Sequence, residues 1–107
     1  MIQIQFLWWA GCPSHPEAWQ RLQTVLQDMD VDALIESVEI KTEADAAQWR
    51  FPGSPTIRVN EVDIDPGAPQ TYRLTCRLYF REDGRPSPLP SEETIRRAIL
   101  HARRNST

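Results

Sequence analysis

The sequence predicts a single α/β domain with the element order β-α-β-α-β-β-α. Strand-like apolar segments alternate with segments of helical periodicity in the first half of the chain. Two more strand-like segments and an amphipathic helix follow in the second half. A chain of 107 residues corresponds to one domain that can bury a modest core without a metal or a disulfide. We therefore expect one domain over residues 1–107, with a flexible tail at about 104–107.

The first half of the chain supplies two strands and two helices. Residues 2–8, IQIQFLW, are apolar on both faces, which is typical of a strand buried on both sides. Ser14 with Glu17 three residues later fits a capping box, and a helix face follows at Ala18, Leu22, Val25, Leu26 and Met29. Residues 34–41 read as the second strand, and Thr42 can cap a short helix that runs to about residue 50.

The second half supplies two strands and the last helix. Residues 56–59 form the third strand, and a turn at Asn60-Glu61 leads into VDID. Residues 71–81 alternate most clearly, so we expect them to form the fourth strand. Its predicted inward face is Tyr72, Leu74, Cys76, Leu78 and Phe80. After a turn at Asp83-Gly84, Ser91 caps the last helix, whose inner stripe is Ile95, Ala98, Ile99 and Ala102.

Composition and charge exclude several function classes. The net charge is −3 and the only basic run is the short stretch at 101–104, so a concentrated basic face for nucleic acid is not expected. No apolar stretch reaches the roughly 18 residues that a membrane span needs. No basic segment precedes the first apolar run, so we expect no signal peptide and a cytoplasmic location. Two cysteines in such a chain are expected to be reduced or transiently oxidised.

The stretch WWAGCPSH places Cys12 where the first strand gives way to a helix. Unpaired N–H groups and the dipole at a helix N-terminus favour an anion, and the thiolate is the nucleophilic form of cysteine. His15, one helical turn later, would add to this effect when protonated. Cys12 is therefore either a nucleophile of lowered pKa that forms mixed disulfides or an inert buried cysteine.

A Cys-Pro after the first strand and GSPT at the start of the third strand, in this element order, resemble the thioredoxin superfamily and its glutaredoxin-like members. GCPSH, GSPTIRVNEVDIDP and CRLY are similar to small bacterial thioredoxin-like proteins. The resemblance implies a thioredoxin-like domain with a mixed sheet of order 2-1-3-4 flanked by helices.

The resemblance also implies roles for individual residues. Cys12 matches the nucleophilic cysteine, Pro13 the residue after it, and Pro55 a cis-proline that packs against the motif. The Ser54 backbone would then be free to align a peptide or a glutathione-like group, and Trp9 would shape the substrate surface. His15 stands where the second motif cysteine would be, so a two-cysteine cycle cannot run inside this motif.

The sequence allows two roles for Cys76. It could be the resolving partner of Cys12, or a buried and inert cysteine on the apolar face of its strand. In the implied sheet, strand four lies two strands from strand one, about 9–10 Å away, whereas a disulfide needs Cα atoms within about 7 Å. This spacing favours the inert reading. A zinc site made of Cys12, His15, Cys76 and His101 is disfavoured, because only Cys12-x-x-His15 has ligand-like spacing.

The sequence therefore predicts thiol–disulfide exchange in which Cys12 is the nucleophile and Pro13 and His15 complete the catalytic motif. Ser54, Pro55 and Trp9 are the predicted substrate contacts. The expected partners are a protein or small-molecule disulfide, with no nucleic acid and no membrane. The expected reductant is glutathione or a protein thiol, and no metal or other cofactor is expected. The alternative is a non-catalytic binding module that uses the groove beside Cys12 and Pro55 for recognition.

Overall fold

A computed structural model describes residues 2–65 and 67–104 of the chain. The elements are β1 Ile2–Trp8, α1 His15–Asp28, β2 Ala33–Glu39, α2 Glu43–Gln48, β3 Thr56–Val59, β4 Val62–Asp63, β5 Tyr79–Phe80, β6 Pro86–Ser87 and α3 Glu92–Arg104. Residues 105–107 of the expected flexible tail lie outside the described residues, whereas residue 104 belongs to α3.

Four strands form one mixed sheet in the order β2-β1-β3-β4. Strand β1 pairs in parallel with β2 and antiparallel with β3, and β3 pairs antiparallel with β4. The order 2-1-3-4 is therefore confirmed. It places the end of β1, where the Cys12 loop begins, between β2 and the start of β3.

Each face of the sheet carries its own apolar cluster. Ile4 and Phe6 of β1 pack with the buried faces of α1 and α3, whereas Leu7 points to the opposite face and packs against α2. The predicted inner faces of both long helices are confirmed, with Ala18, Leu22, Val25 and Leu26 buried in α1 and Ile95, Ile99 and Ala102 in α3. Among the described residues, no helix is both long and apolar enough to cross a bilayer.

Two of the predicted helix caps are present. The Thr42 hydroxyl accepts a hydrogen bond from the Asp45 amide at 3.0 Å, at the start of α2. The Ser91 hydroxyl accepts one from the Thr94 amide at 3.1 Å, at the start of α3. In both cases the side chain satisfies an amide that the first helical turn would otherwise leave unpaired.

The prediction for residues 71–81 is wrong. The fourth strand of the sheet is β4, and within this segment only β5 is a strand, paired with β6 in a separate two-stranded ribbon. The burial pattern is also displaced by one residue. Arg77 and Tyr79 are buried, whereas Cys76, Leu78 and Phe80 are exposed.

The ion pair between Arg77 and Asp63 explains why the face that carries Arg77 and Tyr79 is buried. The Arg77 guanidinium donates two hydrogen bonds of 2.8 Å to the Asp63 carboxylate and lies 4.3 Å from the centre of the Tyr79 ring. The Tyr79 hydroxyl in turn donates a 2.6 Å hydrogen bond to the Pro55 carbonyl. A charged side chain can be buried when it is paired and hydrogen-bonded, and a shift of one residue exchanges the two faces of an extended segment.

Candidate thiol site

The loop between β1 and α1 holds Cys12 in a tight turn. The Cys12 amide donates to the Trp9 carbonyl at 3.0 Å, and the Trp9 indole covers Gly11 so closely that any side chain there would collide with it. Helix α1 begins three residues after Cys12, at His15. The cysteine therefore lies at a helix N-terminus, as predicted, and it is fully buried, with 0% of its surface exposed.

Three neighbours contact the Cys12 sulfur. The Ser14 hydroxyl lies 3.1 Å from Sγ, and the thiol donates to the Ser54 carbonyl at 3.5 Å. The third neighbour is Cys76, which is the bridge partner of Ser54 and whose thiol interacts with that of Cys12.

Ser14 is a site residue that the sequence interpretation missed. It occupies the N-cap position of α1, but its side chain makes no capping hydrogen bond and is within hydrogen-bonding distance of the Cys12 sulfur instead. Glu17 pairs with Arg21 at 3.3 Å, so the predicted capping box is absent. A hydroxyl two residues after a cysteine at a helix start was the available signal, and the stronger capping pattern obscured it.

The loop before β3 closes the other side of the thiol. The Ser54–Pro55 peptide bond is cis, as the resemblance predicted. The Ser54 hydroxyl accepts a hydrogen bond from the Trp9 amide at 3.0 Å, which ties this loop to the Cys12 turn. Ser54 and Pro55 are both buried.

The prediction that the Ser54 backbone is free for a substrate is wrong. Its amide donates to the Thr75 carbonyl at 2.8 Å, and its carbonyl accepts from the Arg77 amide at 2.9 Å. Gly53 allows this close approach, because it has φ +139° and a Cβ there would lie 2.9 Å from the Arg77 Cβ. Residues 75–77 of the chain itself therefore occupy the edge that was expected to receive a peptide.

Cys76 lies beside Cys12 because of this pairing. It forms an isolated parallel bridge with Ser54, whose carbonyl contacts the Cys12 thiol. The expected separation of about 9–10 Å between the strands of Cys12 and Cys76 does not apply. Residues 75–77 run beside Ser54, in the loop before β3, and are not part of the sheet. Cys76 is exposed, so the prediction of a buried cysteine facing the core is also wrong.

The two thiols have opposite pKa shifts. Burial opposes ionisation of Cys12. Hydrogen bonds from Cys76, from the hydroxyl and backbone of Ser14 and from Ser54 outweigh that effect and lower the Cys12 pKa. Cys76 as a residue is exposed, but partial desolvation of its thiol, the interaction with the Cys12 side chain and the charge of Cys12 raise its pKa to about 11. Of the two thiols, Cys12 is therefore the one that loses its proton at the lower pH.

The other predicted site residues lie around this pair. Pro13 is exposed and Trp9 is half-buried in the same loop. The His15 ring is stacked on the Trp8 ring, with centroids 4.5 Å apart. His15 is thus engaged with an indole, and the groups that lower the Cys12 pKa are the two serines and Cys76.

The thiols lie apart from the cleft beside α3, and the described residues hold no cluster of metal-binding side chains. Within residues 2–65 and 67–104, no three histidine, cysteine or acidic side chains converge on a point where an ion could bind. A cleft of about 910 Å³ lies between β4, β5 and α3, with Val62, Phe80 and Arg97 in its lining, and neither cysteine lines it.

No protein-family model, curated protein or solved structure matches the chain. The chemistry of the thiol site is therefore the basis for assigning a function.

Proposed function

We propose that the protein is a thioredoxin-like thiol–disulfide exchange protein in which Cys12 is the nucleophile. The observation that carries this proposal is the environment of the Cys12 sulfur. It lies at the N-terminus of α1 and its pKa is lowered by hydrogen bonds from Ser14, Ser54 and Cys76. The Ser14 hydroxyl, 3.1 Å from the sulfur, is placed where it can donate to a thiolate.

The arrangement of the main chain supports the same proposal. The sheet order is 2-1-3-4, the thiol follows β1, and the cis Ser54–Pro55 bond precedes β3 and contacts the thiol. These are the three features that the resemblance to the glutaredoxin-like proteins implies.

In the proposed reaction, the Cys12 thiolate attacks one sulfur of a substrate disulfide. A bond forms between Cys12 and that sulfur, the substrate S–S bond breaks, and the second substrate sulfur leaves as a thiolate that takes a proton from water. A second thiol, from glutathione or from a protein, then attacks the mixed disulfide and returns Cys12 to its reduced form. A reducing compartment such as the cytoplasm supplies such thiols.

Access to the buried sulfur involves Cys76. Ser14 and Ser54 belong to the helix start and the buried loop, whereas Cys76 is exposed and can change its rotamer without unfolding the chain. We infer that an incoming disulfide takes the place of the Cys76 side chain at the Cys12 sulfur. The substrate is then a small disulfide or one in an extended, exposed peptide.

One observation favours the alternative of a binding module without turnover. Cys12 has no exposed surface and the backbone groups of Ser54 are already paired, as in a site that is closed to substrates. The two functions differ in one measurable property, the reactivity of Cys12 in the folded protein.

The test is the rate at which the folded protein forms a mixed disulfide with glutathione disulfide and with a short cystine-bridged peptide. Intact-mass and peptide mapping would follow the reaction at pH 7 for the wild type, Cys12→Ser and Cys76→Ser. We expect the free Cys12 thiol to be consumed faster in the folded wild type and in Cys76→Ser than in the urea-unfolded chain. The adduct should be retained in Cys76→Ser and be absent in Cys12→Ser. If folded Cys12 reacts more slowly than the unfolded thiol, the exchange function is wrong and the binding module stands.

A further inference from the structure

We propose that Cys76 is the resolving cysteine of this reaction and that it closes a disulfide with Cys12 within the same chain. This inference rests on the proposed exchange function, and it replaces the external second thiol with a residue of the protein itself.

The backbone fixes Cys76 beside the nucleophile. The residues on either side of Cys76 are hydrogen-bonded to both backbone groups of Ser54, at 2.8 and 2.9 Å. The Arg73 amide donates to the Phe51 carbonyl at 3.1 Å, and the Leu74 amide donates to the Glu43 carboxylate at 3.0 Å. The segment is thus attached at successive residues, which gives Cys76 a high effective concentration at the Cys12 sulfur.

The two cysteines are also neighbours on either side of Ser54. The Cys12 thiol donates to the Ser54 carbonyl at 3.5 Å, and Cys76 is the bridge partner of Ser54. A sulfur–sulfur bond therefore needs only a local approach of the side chains and no transfer of a loop across the sheet. Cys76 is also exposed, which leaves it room to rotate away for the substrate and back for the second step.

The protonation of Cys76 depends on whether Cys12 has already reacted, and this sets the order of the two steps. While Cys12 is a thiolate, its charge and its hydrogen bond to Cys76 hold the proton on Cys76. Once Cys12 has become part of a mixed disulfide, its charge is gone and the hydrogen bond to its thiolate is lost. Only burial then continues to raise the Cys76 pKa, so Cys76 becomes a better nucleophile after Cys12 has reacted.

In the resolving step, Cys76 displaces the substrate sulfur from Cys12. The Cys76 thiol gives its proton to water, and its thiolate attacks the Cys12 sulfur of the mixed disulfide. The bond between Cys12 and the substrate sulfur breaks, and the substrate sulfur leaves as a thiolate that is then protonated. Over both steps the substrate disulfide gains two electrons and becomes two thiols, while the Cys12 and Cys76 thiols become one disulfide. A monothiol such as glutathione, or a dithiol protein, reduces that disulfide again.

Ellman's reagent, an aromatic disulfide with a coloured leaving thiol, tests the inference on the full chain. The reduced wild type should release two equivalents of the coloured thiol, and its final mass should show the loss of two hydrogen atoms with no adduct. Cys76→Ser and Cys76→Ala should each release one equivalent and keep a stable adduct on Cys12. Their adduct should persist at least roughly tenfold longer than the one on the wild type.

The outcomes separate the two proposals. If Cys12 of the Cys76 variants gains no adduct faster than the unfolded chain, the exchange function itself fails. If Cys12 reacts quickly but the wild type ends with one or two adducts and no internal disulfide, the resolving role fails and Cys12 acts alone. Circular dichroism of both Cys76 variants would show that they keep the fold, and the alanine variant removes the hydroxyl as an alternative partner.

Discussion

The hydroxyl of Ser14 lies 3.1 Å from the sulfur of Cys12, although Ser14 stands where a helix cap would bind the backbone. A hydroxyl that donates to a thiolate lowers the thiol pKa, so this serine contributes to nucleophilicity rather than to helix stability.

Ser14→Ala tests this contribution. We expect the pKa of Cys12 to rise and its alkylation rate at pH 7 to fall by about tenfold, since a hydrogen bond to a charged group contributes about 1.5 kcal/mol or more. Unfolding in urea should change little. Ser91→Ala is the matched control, because Ser91 does cap its helix. That variant should lose about 1 kcal/mol of stability and leave the Cys12 pKa unchanged. Equal effects of the two substitutions on the thiol would contradict the role of Ser14.

Cys12→Ala should change the titration of Cys76. In the wild type, burial together with the hydrogen bond and charge of Cys12 raises the Cys76 pKa to about 11. The variant removes the last two causes and leaves burial, so the Cys76 pKa should fall but stay above its ordinary value. At pH 9, Cys76 should then react faster with iodoacetamide in the variant than in the wild type, as site-resolved mass spectrometry would show. An unchanged titration of Cys76 would mean that the two thiols do not interact.

Tyr79→Phe removes the hydroxyl that donates to the Pro55 carbonyl at 2.6 Å. Because Tyr79 is only 2% exposed, the carbonyl would be left without this partner in the interior. We expect a loss of about 1–3 kcal/mol in the free energy of unfolding, measured in urea. Tyr72→Phe is the control at an exposed tyrosine, and it should change stability by less than about 0.5 kcal/mol. Similar losses for the two variants would argue against the buried hydrogen bond.

Asp63→Asn should be the most destabilising of these changes. It leaves the buried guanidinium of Arg77 without the carboxylate that accepts two of its hydrogen bonds. Removing one partner of a buried ion pair costs roughly 3–5 kcal/mol, and adding Arg77→Met should restore part of the loss because no unpaired charge then remains. Glu93→Gln, at a pair on the surface of α3, should cost no more than about 1 kcal/mol. A small effect of Asp63→Asn in urea would rule out the ion pair as the anchor of this segment.

The internal disulfide predicts a more stable oxidised form. A bond between Cys12 and Cys76 closes a ring of roughly 65 residues, and chain entropy then favours the folded state by up to about 4 kcal/mol. The melting temperature of the wild type should rise after oxidation with diamide and fall again with a dithiol reductant. Cys76→Ser should show no such difference. A wild type whose oxidised form melts earlier than the reduced form would indicate that the bond distorts the site.

Local patterns predicted much of the fold. The apolar periodicity of α1 and α3 and the position of Cys12 after β1 depend on residues close together in sequence, and they are found as expected. The cis Ser54–Pro55 bond is also found, but it was expected from the resemblance and not from a local pattern. The path of residues 71–78 was not predictable in this way. Alternation shows that two faces exist, but the inner face is decided by Asp63, which lies 14 residues before Arg77 in the sequence.

The candidate site follows the same division. The sequence predicts Cys12 as a site residue because a cysteine and a helix start are adjacent in it. Cys76 lies near the Cys12 sulfur only because the folded chain pairs Cys76 with Ser54. Ser14 was assigned to the helix because a serine at that position has two available partners, an amide and a sulfur. Only the tertiary arrangement selects between them.

The anchoring of Arg77 by Asp63 makes the spacing of the two sulfurs depend on a residue that contacts neither of them. In a genetic screen for loss of thiol chemistry, alleles at codon 63 would therefore appear together with alleles at codons 12 and 76. Such alleles would leave both cysteines intact.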